Sequence, residues 1–154
     1  MGFSDLASQI IMFIAVITVA TGLVVAFNSS VTEASNSMRI RTDSLSLTMR
    51  TDVTIDMVSY EDATNTTFVY VRNTGRTMLD INQTDIYLNG LRVPRNSTYR
   101  TIEILEDTDV INPGIWDPTE QVLIKIFQEL NNTSTHEVTV TTEYNTKDTE
   151  KFSI

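Results

Sequence analysis

Few residues in this chain have the type and spacing that catalysis or metal binding requires. The chain contains one histidine, His136, and no cysteine. A transition-metal site, which needs clustered imidazole or thiolate ligands, is therefore not predicted. A Ser/His/Asp triad has no supporting motif, since no nucleophile elbow is present. We predict that His136 is an exposed residue at the start of a strand, beside the loop of residues 131–134.

An acidic cluster offers a second kind of chemistry. Glu106, Asp107 and Asp109 bring carboxylate oxygens close together, and such oxygens bind Ca²⁺. The cluster lacks the turn glycine and the correctly spaced bidentate glutamate of an EF-hand. A solvated acidic loop is the favoured interpretation. We predict no cofactor, no metal and no enzymatic activity, because no catalytic constellation is present.

Two residues are candidates for an interface. Trp116 lies in the segment Asn112–Pro118, where proline and glycine predict a rigid turn. Its indole either plugs the end of the fold or anchors a partner, and the plug is favoured. Asp5 stands at the edge of an apolar segment, where a carboxylate needs head groups or a partner. That partner could be the α-amine of a neighbouring copy.

The N-x-S/T pattern, which marks glycosylation acceptors on outward-facing domains, occurs repeatedly. Each pattern is weak by itself in a chain rich in threonine and asparagine, and chance remains an alternative. The candidate glycosylation sites are Asn28, Asn65, Asn82, Asn96, Asn131 and Asn132.

The overall charge narrows the classes of partner. The net charge is −9 at pH 7, so the broad basic surface that grips nucleic acid is not expected. The absence of cysteine excludes a disulfide framework. After an N-terminal segment, the remaining chain is long enough for about one domain with a single core.

The N-terminal segment Leu6–Phe27 is almost wholly apolar, and no charged residue lies between Asp5 and Glu33. A helix of that length crosses a hydrocarbon core of about 30 Å. A secretory signal peptide would have a basic n-region and a small-residue cleavage site, and neither is found. We predict an uncleaved membrane anchor. Its apolar residues are Leu6, Ile10, Ile11, Phe13, Ile14, Val16, Ile17, Val19, Leu23, Val24, Val25 and Phe27.

The signals for membrane orientation disagree. Arg39 and Arg41 favour a cytoplasmic C-terminal side, but both are remote from the span. The glycosylation patterns favour an extracytoplasmic side. We expect a single-pass membrane protein whose C-terminal domain faces the extracytoplasmic space.

A helical stripe continues beyond the apolar segment. Val31, Ala34, Met38, Leu45 and Met49 recur at helical spacing, and Val31–Tyr60 contains neither glycine nor proline. The pattern predicts one helix from about residue 4 to about residue 48. The stripe either packs onto the protein's own domain or forms a seam for another subunit.

From Thr51 onward the pattern changes to period two, with β-branched and aromatic residues. We predict an α+β protein in which residues 1–50 form a transmembrane helix and helical stalk, and residues 51–154 form an antiparallel, immunoglobulin-like β-sandwich without a disulfide. The sequence Asn89-Gly90 predicts a tight hairpin. The predicted strands are Asp52–Tyr60, Thr66–Asn73, Asp85–Asn89, Leu91–Val93, Ile102–Leu105, Gln121–Phe127, Glu137–Tyr144 and Lys151–Ile154.

Several segments together resemble a known family. The apolar helix is followed by LTMRTDVTID, FVYVRNTGRTML, TDIYLNG, NPGIWDPTEQVLIKI and HEVTVTTEYNTKDTEKF. These are similar to the archaellum accessory proteins of the FlaF and FlaG type, within the archaeal flagellin superfamily. RTDVTI and the C-terminal segment look more like FlaG, whereas MGFS looks more like FlaF, and FlaG is favoured.

The resemblance implies a stator of the archaellum motor. Such proteins are anchored by a pilin-like N-terminal helix and carry a β-sandwich beneath the S-layer. Their partners are the membrane, a sister stator protein, further copies and the S-layer. Archaellins that form filaments carry Lys or Arg before a glycine cleavage site, and only Met1 precedes Gly2 here. Two alternatives are a filament subunit (archaellin or adhesion pilin) and a module that binds a sugar or Ca²⁺.

Overall fold

The structure is a computed structural model that describes residues 2–131 and 134–154. Its first element is one uninterrupted helix, α1, over Gly2–Arg50. At 1.5 Å per residue, its 49 residues span about 73 Å. The predicted long apolar helix is confirmed, and it extends two residues further at each end than the pattern indicated. The chain divides into two compact units, Met1–Asp43 and Ser44–Ile154.

Eight strands follow the helix, as the alternation of apolar and polar residues predicted. Asn89 and Gly90 adopt φ values of 53° and 77°, the left-handed pair that a two-residue hairpin requires. The strands are β1 Val53–Glu61, β2 Thr66–Asn73, β3 Asp85–Leu88, β4 Leu91–Val93, β5 Arg100–Ile104, β6 Gln121–Phe127, β7 Thr135–Thr141 and β8 Lys147–Ser153.

The strands form two antiparallel sheets of four, in the orders β1-β2-β6-β5 and β4-β3-β7-β8. The antiparallel sandwich is therefore confirmed. Its inner faces are made by the alternate apolar residues of the central strands, as in other sandwiches. The buried apolar residues include Val69, Val71, Ile86, Leu88, Val122, Ile124, Ile126, Val138 and Val140.

The last strand is longer than the sequence indicated. β8 pairs with β7 over its full length, from Thr135 opposite Ser153 to Thr141 opposite Lys147. Most of its side chains face solvent or are only partly buried. An edge strand of this kind has no alternation of apolar residues, so only its apolar C-terminal part was detectable.

The two sheets meet at one corner, where edge strands β1 and β8 lie side by side. The backbone N–H of Ile55 donates to the carboxylate of Asp148 at 2.8 Å. The pairing of β1 with β2 shifts by one residue directly after Ile55, which places Asp56 in a bulge. The other two edges of the sandwich are formed by β4 and β5.

Candidate functional site

The apolar part of α1 is exposed along its whole described length. None of the most apolar window of Ser4–Arg50 is buried, and this helix is long and apolar enough to cross a membrane. The hydroxyls of Thr18 and Thr21 donate to the carbonyls of Ile14 and Ile17 at 2.9 and 2.8 Å. These threonines therefore need no water. The predicted anchor residues are all exposed, namely Leu6, Ile10, Ile11, Phe13, Ile14, Val16, Ile17, Val19, Leu23, Val24, Val25 and Phe27.

Asp5 lies in the first turn of the helix and is exposed. A carboxylate at this end interacts favourably with the helix dipole. In the last turns, Leu45 and Met49 of the predicted stripe are also exposed, at 62% and 85%. These side chains therefore leave apolar surface uncovered at the end of the helix.

The last turn of the helix is joined to the sandwich by backbone hydrogen bonds. The N–H of Arg76 donates to the carbonyl of Arg50 at 2.7 Å, and the N–H groups of Thr74 and Gly75 donate to the carbonyl of Asp52 at 3.1 and 2.9 Å. The turn after β2 thus satisfies the Arg50 carbonyl, one of those that a helix terminus leaves without partners, together with the carbonyl of Asp52 just beyond the helix. No pattern in the sequence indicates what this turn contacts.

Gly75 is required at this junction because of space. A Cβ atom added there would collide with the backbone nitrogen of Asp52 and would approach the carbonyl oxygen of Arg50 to 2.8 Å. The side chain of Asn73 is fully buried beside it. Its amide donates to the carbonyls of Thr77 and Trp116 at 2.8 and 3.2 Å, and its oxygen accepts from the N–H of Gly75.

Trp116 is fully buried in the core. Its indole N–H donates to the carbonyl of Glu120 at 3.0 Å, and its backbone pairs with Leu79 in an isolated bridge. Of the two interpretations, this geometry is the plug. The indole has no exposed surface to offer a partner. The alternative interpretation, in which Trp116 anchors an interface, therefore does not fit the structure.

His136 was predicted to be exposed, and this prediction is wrong. Its side chain is buried, since the residue is only 5% exposed. Nδ1 lies 3.0 Å from the amide nitrogen of Asn89, and Nε2 lies 3.0 Å from the carbonyl oxygen of Asn131. Phe152 packs beside the ring at 5.7 Å between centroids. The oxygen of Asn89 accepts from the N–H of Glu137, so the Asn89 amide nitrogen is the donor and the neutral Nε2–H tautomer satisfies both contacts.

The acidic cluster is partly used by its own loop. The carboxylate of Asp109 accepts from the N–H of Gly114 at 3.0 Å, whereas Glu106 and Asp107 are exposed. Within residues 2–131 and 134–154, no group of three or more potential ligands is placed to hold a metal ion.

The candidate glycosylation sites differ in their surroundings. Asn65, Asn82, Asn96 and Asn131 are exposed, as is Asn28 on the helix, and Asn132 lies outside the described residues. The amide nitrogen of Asn82 donates to Asp80 at 3.1 Å, so attachment of a sugar there would alter that bond. The oxygen of Asn65 accepts from Tyr60, and that of Asn96 accepts from the N–H of Thr98.

A cluster of arginines, Arg92, Arg95 and Arg100, lies at the edge of the sandwich, and no sequence pattern indicated it. Arg92 and Arg95 both contact one carboxylate oxygen of Asp85, at 2.6 and 3.0 Å. Burial would raise the pKa of Asp85, but hydrogen bonds from the two guanidinium groups outweigh it and hold this pKa below its usual value. Arg100 is buried nearby, and its Nη2 donates to the carbonyl of Thr84 at 2.8 Å.

The fold and sequence were compared with those of known proteins. The sequence profile of the archaeal-type flagellin family matches residues 2–152. A protein of Archaeoglobus fulgidus described as uncharacterized is 29% identical over 163 residues, which span all of this chain and 98% of that protein.

Two solved structures from Sulfolobus acidocaldarius share the fold. The archaellum periplasmic stator protein FlaG superposes with a TM-score of 0.55 and 21% identity over 66% of this chain and 99% of that chain. The stator complex of FlaF and FlaG gives a TM-score of 0.53 and 22% identity over 66% of this chain and 88% of that chain. These likenesses confirm the resemblance to the FlaF and FlaG type at the level of the fold.

The matched family is described as archaeal-type flagellin, and both solved structures are described as archaellum periplasmic stator proteins. The family profile covers almost the entire sequence. This protein therefore belongs to the archaeal-type flagellin family.

Proposed function

We propose that this protein is a membrane-anchored structural component of the archaellum motor and acts as a stator. The observation that carries the proposal is an apolar helix without buried surface in its most apolar window, joined to a sandwich with the fold of FlaG. In this proposal residues 1–50 are the anchor and stalk, and residues 51–154 are the domain that meets partners.

The anchor interpretation is supported by the free energy of apolar exposure. Each fully exposed Leu, Ile, Val or Phe side chain forgoes about 1.5–3 kcal/mol of burial. A run as long as Leu6–Phe27 is not kept in water at that cost, whereas lipid removes it. Its threonine hydroxyls are already bonded to the helix backbone, as lipid requires.

We infer that the C-terminal domain faces the extracytoplasmic space. The FlaG of similar fold is described as periplasmic, and the exposed acceptor patterns at Asn65 and Asn96 are compatible with glycosylation. In that compartment the domain would reach a sister stator protein and the S-layer. The structure of FlaF bound to FlaG supports the choice of a sister protein as partner. The exposed Leu45 and Met49, and Asp5 at the other end of the helix, are candidate contacts with further copies.

A filament subunit is the second candidate function. It is favoured by membership of the archaeal-type flagellin family. In a filament the apolar helix would pack against other copies instead of lipid. Mass spectrometry of the mature N-terminus and of sheared filaments separates the two. An intact N-terminus retained in membranes supports the stator, and a shortened chain recovered in filaments supports the subunit.

The anchor is tested with two matched double variants of the full-length protein. Ile14→Lys/Ile17→Lys places two charges in the apolar segment, at a cost of about 5–7 kcal/mol for insertion. Met38→Lys/Ile40→Lys places them on exposed positions further along the same helix. After carbonate extraction, we expect the first variant in the supernatant and the second in the membrane pellet. Retention of both variants in the pellet would contradict a span at Leu6–Phe27.

The stator role is tested by capture of partners. The full-length protein in detergent should retain the purified sister stator protein and the purified S-layer protein, each tested separately. Binding to neither protein would overturn the stator proposal.

A further inference from the structure

A cleft of about 380 Å³ lies beside β5, where the arginine cluster described above meets this strand. It is lined by four consecutive β5 residues, Arg100–Glu103, and by residues of two other segments, Ile81 and Asn82, and Arg95 and Ser97. β5 pairs only with β6 among the described strands, so this is an open sheet edge.

Arg100 is an unusual residue for this position. Its residue surface is only 5% exposed, yet in the described part of the chain no carboxylate forms an ion pair with it. Of its terminal nitrogens, Nη2 reaches the carbonyl of Thr84, whereas Nη1 is buried and has no hydrogen-bond partner among the described residues. The buried hydroxyl of the neighbouring Thr101 has none there either. A buried charge without a partner costs several kcal/mol.

The surrounding charges leave the cluster short of negative charge. Asp85 is shared by Arg92 and Arg95, and Glu103 pairs with Lys125 at 3.1 Å. Asp80 accepts hydrogen bonds from Asn82 and Gln83. Burial lowers the pKa of Arg100, and the positive charges of Arg95 and Arg92 lower it further, whereas the negative charge of Asp85 raises it. Positive charge is thus concentrated at one edge of a protein whose net charge is −9.

We propose that this cleft binds an oxyanion, a phosphate or carboxylate group, whose negative charge pairs with Arg95 and Arg100, the two arginines that line it. Guanidinium groups form strong, charge-assisted hydrogen bonds to such groups. Asn82 and Ser97 line the same cleft, and amide and hydroxyl side chains are neutral hydrogen-bond donors. The inference does not depend on the stator role, and either can fail without the other.

The test measures binding of sodium phosphate and sodium glucuronate to the full-length protein in detergent micelles. Thermal unfolding is followed by the fluorescence of the single tryptophan, with sodium chloride added to equal ionic strength. A ligand that binds only the folded state raises the midpoint in a saturable way. Preference for glucuronate identifies an acidic sugar as the source of the oxyanion, and preference for phosphate identifies a phosphorylated group.

Arg95→Gln is the informative variant, and Arg72→Gln is its matched control. The side chain of Arg95 is 41% exposed and bonds Asp85 of β3. The side chain of Arg72 is 45% exposed and bonds Asp56 of β1. We expect at least about tenfold weaker binding in Arg95→Gln, the loss of about 1.4 kcal/mol, and unchanged binding in Arg72→Gln. Equal binding by both variants, or no saturable effect of either anion on the unmodified protein, would overturn the proposal.

A second variant separates ligand binding from structural support. Arg100→Met keeps the apolar stem and removes the buried charge, so without added anion it should unfold at the wild-type temperature or above. It should also lose its response to phosphate and glucuronate. A variant that unfolds earlier but keeps the full response would contradict the role given to Arg100.

Discussion

Replacing Gly75 by alanine tests the junction between the helix end and the sandwich. The substitution adds one methyl group at a position where backbone atoms of residues 50–52 already lie within 3.0 Å of the new Cβ. Backbone atoms cannot rotate away as a flexible side chain can. The turn around Gly75 must therefore move away from the helix end.

The size of the effect follows from the contacts that would break. Overpacking by a methyl group costs about 1–3 kcal/mol. The shift would also lengthen the bonds from Gly75 to Asp52 and from Arg76 to Arg50, each of which contributes about 0.5–1.5 kcal/mol. We expect a loss of about 2–6 kcal/mol in the free energy of unfolding, and a fall of at least about 8 °C in the unfolding midpoint.

The assay uses a reporter that the chain already contains. Trp116 is the single tryptophan and is fully buried in the sandwich. Its fluorescence therefore follows unfolding of the sandwich and is insensitive to the apolar helix. The full-length protein in detergent is heated, and the midpoints of variant and wild type are compared.

Gly22→Ala is the matched control, because nothing lies within 4 Å of a Cβ at Gly22. It should leave the tryptophan midpoint unchanged. If Gly75→Ala unfolds within about 2 °C of wild type while its fold is retained, the close packing of this junction does not limit stability. That result would show that a Cβ at Gly75 is accommodated without displacing the turn from Arg50 and Asp52.

Three further substitutions test other contacts. Asp85→Asn should lower the free energy of unfolding by about 1 kcal/mol at pH 7. Because the pKa of Asp85 is lowered in the fold, this contribution is present above about pH 4 and is lost as the pH falls further. The thermal unfolding midpoints of the variant and the wild type should therefore converge in acid. Trp116→Phe should cost about 2–4 kcal/mol in urea unfolding followed by circular dichroism, since it leaves a gap and the Glu120 carbonyl without its donor. His136→Ala should cost about 1–3 kcal/mol and should speed hydrogen exchange at the Asn89 turn but not in β2; unchanged exchange at that turn would contradict the bridging role of the ring.

The sequence predicted the elements whose apolar pattern is regular. The uncharged segment before Glu33 indicated the long helix, and strands such as Gln121–Phe127 alternate because one face is buried in the core. The Asn89-Gly90 dipeptide indicated its hairpin because few other residues adopt two successive positive φ values. These features depend on residues that are close together in the chain, so the sequence pattern is enough to predict them.

The features that escaped prediction depend on contacts between distant residues. His136 is buried because a turn 47 residues earlier and the ring of Phe152 close over it. Arg100 looks like any surface arginine of a loop, and only the fold places it beneath Thr84. The importance of Gly75 lies in the backbone it faces and not in its own φ. A short window of sequence contains no sign of these contacts, because their partners lie far away along the chain.

The contact between Asp148 and Ile55 affects which edges of the sandwich can pair with a strand of another chain. A free strand edge recruits other strands through its row of unpaired N–H and C=O groups. At this corner a carboxylate already occupies a backbone donor of β1, and the bulge at Asp56 breaks the row. Strand addition by a second chain is therefore disfavoured on this side and left open at the edges of β4 and β5. The edge strands of the sandwich therefore differ in how readily they can pair with a strand of another chain, and β1 is less suited to it than β4 and β5.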